Sequence, residues 1–330
     1  MLVGVTASVN AEELPVLPDS PSELAERLRA TGYLPDEGLA TAAYLALRMN
    51  RPLFCEGEPG TGKTALAQAL AQVIGAPLIR LQCHEGIDAS QALYDWDFPR
   101  QLLHLRALEA TASMRHAVIR EGAADLRGGT DQESGARAGE LDVEAVEASL
   151  YDPRFLIARP VLRALRTSPS VLLIDEIDRA DDEFEAFLLE VLTEHAVTIP
   201  EVGEVRATTP PLVVLTSNRT REVHDALKRR CLYLWLDHPD VNREMAILRS
   251  RLPEIPERLA AQVASAVRRM REMELLKPPG VAESLDWAQA LQLLGARELD
   301  VDRAAASLGA VLKYREDADR VRAQLDAVLA

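Results

Sequence analysis

The sequence predicts an α/β fold: a mostly parallel sheet sandwiched by helices, followed by a smaller all-α domain. Three observations carry that prediction. Leu53-Phe54-Cys55, Val171 to Ile177, Leu212 to Leu215 and Leu232 to Leu236 are short apolar runs that read as strands, and Val171 to Ile177 has the pattern of one buried on both faces. Helical periodicity separates them, as the crossovers of a parallel sheet require. Beyond His238-Pro239 the strand signals stop, and four or five amphipathic helices punctuated by Pro253, Pro256, Pro278-Pro279 and Gly295 are expected.

In chain order, residues 1–21 carry Pro15, Pro18 and Pro21 and predict a loose leader. Ser20 is the expected N-cap of the first helix, with Glu23 three positions on. An Ala- and Leu-rich helix is expected over about Asp36 to Met49, a strand at Leu53-Phe54-Cys55 ending at Gly57, and a helix opening near Lys63. Pro77 to Cys83 reads as a strand and Arg100 to Arg120 as a helix. Residues 121–150, rich in Gly, Ala and acid, predict a solvated, mobile insertion, with a binding loop as the alternative. Asp182 to Leu192 is helical, and Val197–Pro200 with Val205–Thr208 flank a β-hairpin turn. The expected divisions are a leader at 1–21, an α/β domain at 22–238 and a helical lid domain at 239–330.

Composition bounds the function. A chain of 330 residues holds about two domains. Its formal net charge of −15 argues against a surface devoted to gripping nucleic acid. Cys55, Cys83 and Cys231 are too scattered for a disulfide framework or zinc module. The opening MLVGVTASVNAEEL lacks a basic segment and predicts no secretory signal, and no apolar run reaches the 18 or so residues of a membrane span. A cytoplasmic location is expected, with peripheral membrane association left open.

Gly57-Glu58-Pro59-Gly60-Thr61-Gly62-Lys63-Thr64 matches GxxxxGK[ST], a phosphate-binding loop. Its glycines let backbone N–H groups turn toward phosphate oxygens, and the following helix, opening at Lys63-Thr64-Ala65, adds its partial positive charge. Lys63 is placed to reach the β- and γ-phosphates of ATP, and Thr64 to hold Mg²⁺. Asp175, ending an apolar strand, is the second Mg²⁺ candidate; Glu176 can polarise a water for attack on the γ-phosphorus. Asp178 is expected to be structural. Asn218, ending the strand Leu212 to Leu215, can hold that water or the γ-phosphate, with a plain turn asparagine as the alternative. Arg219, Arg221, Lys228, Arg229 and Arg230 form a basic cluster in an acidic chain, and a guanidinium at Arg229 or Arg230 could reach a neighbour's γ-phosphate.

The stretches FCEGEPGTGKTALAQALA, RLQCHEGIDASQALYDWDFPRQLLHLR, VLLIDEIDRADDEFEAFLLEVL, LVVLTSNRTREVHDALKRRCLYLWLDHP and AESLDWAQAL cover most of 50–110 and 153–292. In them the chain resembles the AAA+ ATPases, and within these the MoxR family and its CoxD-like branch, accessory ATPases of molybdenum–copper carbon monoxide dehydrogenases and related molybdenum hydroxylases. The resemblance implies a P-loop AAA+ domain with a lid, a ring, usually a hexamer, and ATP at the subunit interfaces. It makes Asn218 the sensor 1 residue, Arg229 or Arg230 the finger acting in trans, and Val197–Thr208 a hairpin lining a pore or facing a client. It also implies a von Willebrand factor A domain partner and a metalloenzyme client. One departure is visible: Gly280-Val281-Ala282-Glu283-Ser284 stands where a sensor 2 arginine is usual. The expected function is Mg²⁺-dependent ATP hydrolysis by a chaperone-like remodeller. A nucleic-acid motor or loader and a nucleotide-switched scaffold are the alternatives.

Overall fold

A computed structural model describes residues 17–125 and 143–329. The first part of the chain runs α1 (Pro21–Ala30), α2 (Glu37–Met49), β1 (Leu53–Gly57), α3 (Lys63–Val73), β2 (Leu78–Gln82), α4 (Ala89–Ala92), β3 (Tyr94–Trp96), α5 (Phe98–Asp125) and α6 (Val143–Leu150). Then come β4 (Leu156–Ala158), α7 (Pro160–Arg166), β5 (Val171–Asp175), α8 (Asp182–Glu194), β6 (Ala196–Ile199), β7 (Gly203–Arg206), β8 (Leu212–Ser217), α9 (Asp225–Arg230) and β9 (Leu232–Leu236). Six helices complete it: α10 (Val241–Arg251), α11 (Glu257–Arg271), α12 (Val281–Leu293), α13 (Val301–Val311), α14 (Arg315–Ala323) and α15 (Leu325–Leu329).

The central sheet is parallel throughout, in the order β2-β5-β8-β1-β9. Alternate residues of the inner strands β5, β8 and β1 enter different cores. Leu53, Leu173 and Val214 meet Leu28, Leu39, Leu66 and Leu70 of α1, α2 and α3. Phe54, Leu172, Ile174 and Leu215 face Leu162, Phe184 and Leu188 of α7 and α8. Burial on both faces explains the unbroken apolar runs of β1, β5 and β8 and leaves polar side chains for the carboxyl ends, where ligands of open α/β sheets bind. The run in edge strand β9 instead alternates, with Tyr233 and Trp235 exposed.

Several sequence expectations change in detail. The strand at Val171 stops at Asp175, because Glu176 turns into the left-handed region (φ 57°) and Ile177–Arg179 is a 3-10 turn. The 121–150 segment is not one loop: α5 continues to Asp125, and Val143, Val146 and Leu150 repeat at helical spacing in α6. Gln101 donates to the Leu150 carbonyl (2.6 Å), tying α6 to α5. Residues 126–142 of that segment, and 1–16 of the expected leader, lie outside the described residues. The antiparallel β3–β4 pair is an addition. So are α4, whose four residues are too few for a periodic signal, and α7, which opens on Pro160 at its first turn. Ser20 caps α1 as expected, accepting from Glu23 N at 3.1 Å.

The C-terminal helices build an apolar core of their own around Leu259, Val263, Met270, Trp287, Leu291 and Leu308. One ion pair lies inside this region. Arg271 donates twice to Glu244, at 2.7 and 2.8 Å, and both are nearly water-free. Ser284 Oγ donates to the same carboxylate (2.6 Å), and Arg271 Nε to the Pro279 carbonyl (2.7 Å). The start of α12 is thereby fixed against α10 and α11. Removing one member strands a buried charge. Arg271→Met should cost about 3–5 kcal/mol in urea unfolding; a loss below about 1 kcal/mol would show that Glu244 does not depend on it.

Candidate functional site

The loop between β1 and α3 is closed on itself. Thr61 Oγ1 donates to the Glu58 carbonyl (2.9 Å), and Lys63 Nζ donates to the carbonyls of Gly57 (2.8 Å) and Glu58 (2.7 Å). Burial pulls the Lys63 ammonium below its ordinary pKa. Gly62, at φ 93°, lets the chain turn into α3, so the first helical N–H groups open onto the same space.

Asp175 ends β5 with 4% exposure. Thr216 Oγ1 donates to its Oδ1 (2.5 Å), Thr64 Oγ1 lies 3.2 Å from the same oxygen, and Arg80 Nη2 lies 2.5 Å from Oδ2. Thr216 Oγ1 also accepts from Glu176 N at 2.9 Å, so one hydroxyl orients both acids. Asn218 Nδ2 faces Glu176 Oε1 at 3.4 Å. Asp178 is buried and structural in its contacts: its carboxylate accepts from Asn218 N (3.2 Å), Thr220 N (2.9 Å) and Thr220 Oγ1 (2.7 Å), fixing the turn after β8.

Asp175, Glu176, Thr216 and Asn218 border a cleft of about 840 Å³, which Pro59 through Ala65 also line. Its lining also includes the apolar side chains of Leu34, Ile247 and Leu285 and the ring of Tyr33. Val281 and Ala282 stand on its wall with no cation at the position noted in the sequence. Arg243 and Arg251 of α10 do line it. With Ile247 they repeat every fourth residue, a one-faced helical signal that the sequence reading passed over. Arg243 donates to the Leu34 carbonyl (2.8 Å) and to Asp36 (2.7 Å), tying α10 to the loop before α2.

The phosphate loop touches the C-terminal helices through backbone. Val281 N donates to the Gly60 carbonyl (2.9 Å), and a Cβ on Gly280 would stand 2.7 Å from the Gly60 Cα. Beside this contact, His238 Nε2 lies 3.3 Å from the Glu58 carboxylate. Burial, and next the charge of Arg271, lower the His238 pKa, keeping the ring neutral near pH 7.

The structure thus brings Lys63, Thr64, Asp175, Glu176 and Asn218 to one cleft. Gly57 and Glu58 sit behind it, holding Lys63 with their carbonyls. Arg229 and Arg230, in the last turn of α9, do not line it and are exposed. Arg230 donates to Thr193 Oγ1 (2.5 Å), whereas the Arg229 side chain has no hydrogen-bond or ion-pair partner among the described residues. Two other members of the basic cluster are occupied locally. Arg221 pairs with buried Glu185, and Arg219 lies over the Trp235 ring. Thr216 and Arg80 are site residues that the sequence did not single out. Cys55 and Cys231 are buried thiols, pushed up to about 12 by burial, as expected of inert ones.

Residues 52–231, more than half of the chain, match the family described as the AAA domain (dynein-related subfamily). The chain belongs to that family. Its fold is the P-loop AAA+ fold with a helical C-terminal region. A 48-residue stretch is 46% identical to midasin of Giardia intestinalis, covering 14% of this chain and 1% of that protein. An uncharacterized protein of Staphylococcus haemolyticus is 22% identical over 211 residues, and the chain spans 62% of its length. Among solved structures, the Thermotoga maritima RuvB Holliday junction branch migration motor aligns with 89% of the chain and 72% of its own, at 15% identity and a TM-score of 0.43. Among the described residues of this AAA chain, no helix is long and apolar enough to cross a membrane.

The glycine contact can be probed directly. Gly280→Ala should destabilise the protein by about 1–3 kcal/mol, because neither backbone can give way easily. Gly309→Ala in α13, with nothing within 4 Å of the added carbon, should instead gain about 0.5–1 kcal/mol. Thermal unfolding of the pair checks the sign of each.

Proposed function

We propose that the chain is a Mg²⁺-dependent ATP hydrolase of MoxR type, working as a ring, usually a hexamer in such proteins. In this reading residues 22–238 form the nucleotide domain and 239–330 a lid. The observation that carries it is the meeting of Lys63, Thr64, Asp175, Glu176 and Asn218 in one cleft while Arg229 and Arg230 stand exposed outside it. A site complete in one chain needs no distant arginine; a site shared between subunits does.

The residues fit Mg²⁺. A hydroxyl and a carboxylate, both hard oxygen donors, lie side by side at Thr64 and Asp175, with open cleft beyond for phosphate and water oxygens. When bound, the ion would neutralise charge on the β- and γ-phosphates. The protein's own groups supply the rest. Lys63 exchanges the loop carbonyls for phosphate oxygens. Glu176 accepts a proton from water as its oxygen bonds to the γ-phosphorus and the bond to the β-phosphate oxygen breaks. Asn218, already facing Glu176, orients that water. Tyr33, Leu34, Ile247 and Leu285 in the cleft lining suit the face of a purine.

Arg229 is our choice for the finger acting in trans, because Arg230 is engaged within its own chain by Thr193. The resemblance to MoxR proteins extends the proposal to a chaperone-like remodeller maturing a metalloenzyme with a von Willebrand factor A domain partner, in the cytoplasm. A pulldown with Glu176→Gln in ATP tests that extension: it should retain such a client, and DNA-stimulated turnover in its place would sink it.

Lys63→Ala should weaken ATP binding by roughly 100-fold or more, measured with a fluorescent analogue. Glu176→Gln should keep ATP affinity within a few-fold but slow phosphate release by about 10²–10⁴; wild-type turnover would remove Glu176 as the base. Arg229→Ala should lower turnover by about 10³ or more. Mixed with Lys63→Ala subunits it should regain activity, since each supplies what the other lacks. No recovery on mixing would remove Arg229 as a residue acting in trans.

A further inference from the structure

Asp175 is too deeply buried to stand without compensation, and an isolated carboxylate at that depth is costly. Lys63 interacts with it through space but forms no ion pair with it, its ammonium being held by the loop carbonyls. The only cation within ion-pair reach of Asp175 among the described residues is Arg80. Arg80 lies opposite Leu173 in the β2–β5 register, with Gln82 opposite Asp175, so its side chain runs along the strand toward the carboxyl edge. The guanidinium Nη2 is shared between Asp175 Oδ2 and Gln82 Oε1, each at 2.5 Å.

The two ends of this pair are unequal. The Asp175 side chain is 5% exposed and the Arg80 side chain 53%. Swinging Arg80 into water costs little, since the guanidinium is already half solvated. Leaving Asp175 with no cation costs far more. The pair therefore holds until another cation replaces it, and then yields readily.

We propose that Arg80 is the resident counter-cation of Asp175, displaced when a metal–nucleotide complex arrives, and so a positioning residue that sets the metal dependence of nucleotide binding. The inference rests on the nucleotide reading above. Free Mg²⁺ meets a carboxylate that is already neutralised, so the metal enters with the phosphates and not before them. The affinity for the metal-loaded nucleotide is lowered by the strength of the pair that must break.

The test is ADP affinity with and without Mg²⁺, by calorimetry, on the full chain. The quantity of interest is the ratio of the Kd in EDTA to the Kd in Mg²⁺. Arg80→Met should raise that ratio roughly fivefold, by freeing Asp175, with little change in the EDTA arm. Arg80→Lys, which keeps the charge, should stay near the wild-type ratio; it also separates loss of charge from loss of packing. An unchanged or smaller ratio in Arg80→Met, with ADP still bound, would overturn the proposal. So would an equal weakening in both arms, which would place Arg80 on the phosphates. A wild-type chain that binds ADP in neither arm would overturn the nucleotide reading itself, a result readily told apart from the others.

Discussion

A single buried carboxylate organises the edge of the sheet. Groups from β2, β8 and α3 converge on the buried Asp175 carboxylate and satisfy its oxygens, and their convergence requires the strands to end in register. Ile174 stands opposite Leu215, so the next residues outward, Asp175 and Thr216, meet as the apolar layer ends. Thr216 then holds the Glu176 amide, and Asp178 holds the turn that carries Asn218. The polar edge is thus a by-product of where burial stops. Fully buried strands cannot carry polar side chains along their length, so the chemistry collects at their ends.

That logic explains which parts were legible in the sequence. The phosphate loop and the Asp175-Glu176 pair are local: a fixed spacing of glycines and lysine, and two acids after four apolar residues. The central strands were legible because burial on both faces leaves no other pattern. Arg80 was not, since its partner lies 95 residues away and the residue itself looks like any exposed strand arginine. Thr216 looked like a strand-end threonine until β5 was laid beside β8. The β3–β4 pair has three residues per strand, too few for alternation to register. Residues 143–150 were hidden by the composition around them, although their own spacing is helical.

The basic cluster shows how position changes the meaning of a charge. Five cations close in sequence suggested one electrostatic feature. In the fold Arg221 compensates a buried glutamate, Arg219 rests on an indole and Arg230 is held by a threonine. Arg51, from before β1, caps the end of α9 by donating to the Arg229 and Cys231 carbonyls. Four arginines are thereby spent on holding α9 and the turn before it, which leaves Arg229 presented from a rigid base. The backbone beneath that side chain is thus fixed, so ordering it against a partner charge costs only the side chain's own freedom.

The backbone contact between Gly60 and Gly280 has a mechanical side. The helix α12 starts at that contact and is clamped there by Arg271, Glu244 and Ser284. Its 13 residues extend about 20 Å to Leu293, which is 82% exposed. The arrangement is a lever with its fulcrum on the phosphate loop. A tilt of about 5° at the fulcrum would carry the far end through roughly 2 Å, so a change too small to break a hydrogen bond at the loop would shift the exposed Leu293 end of the helix.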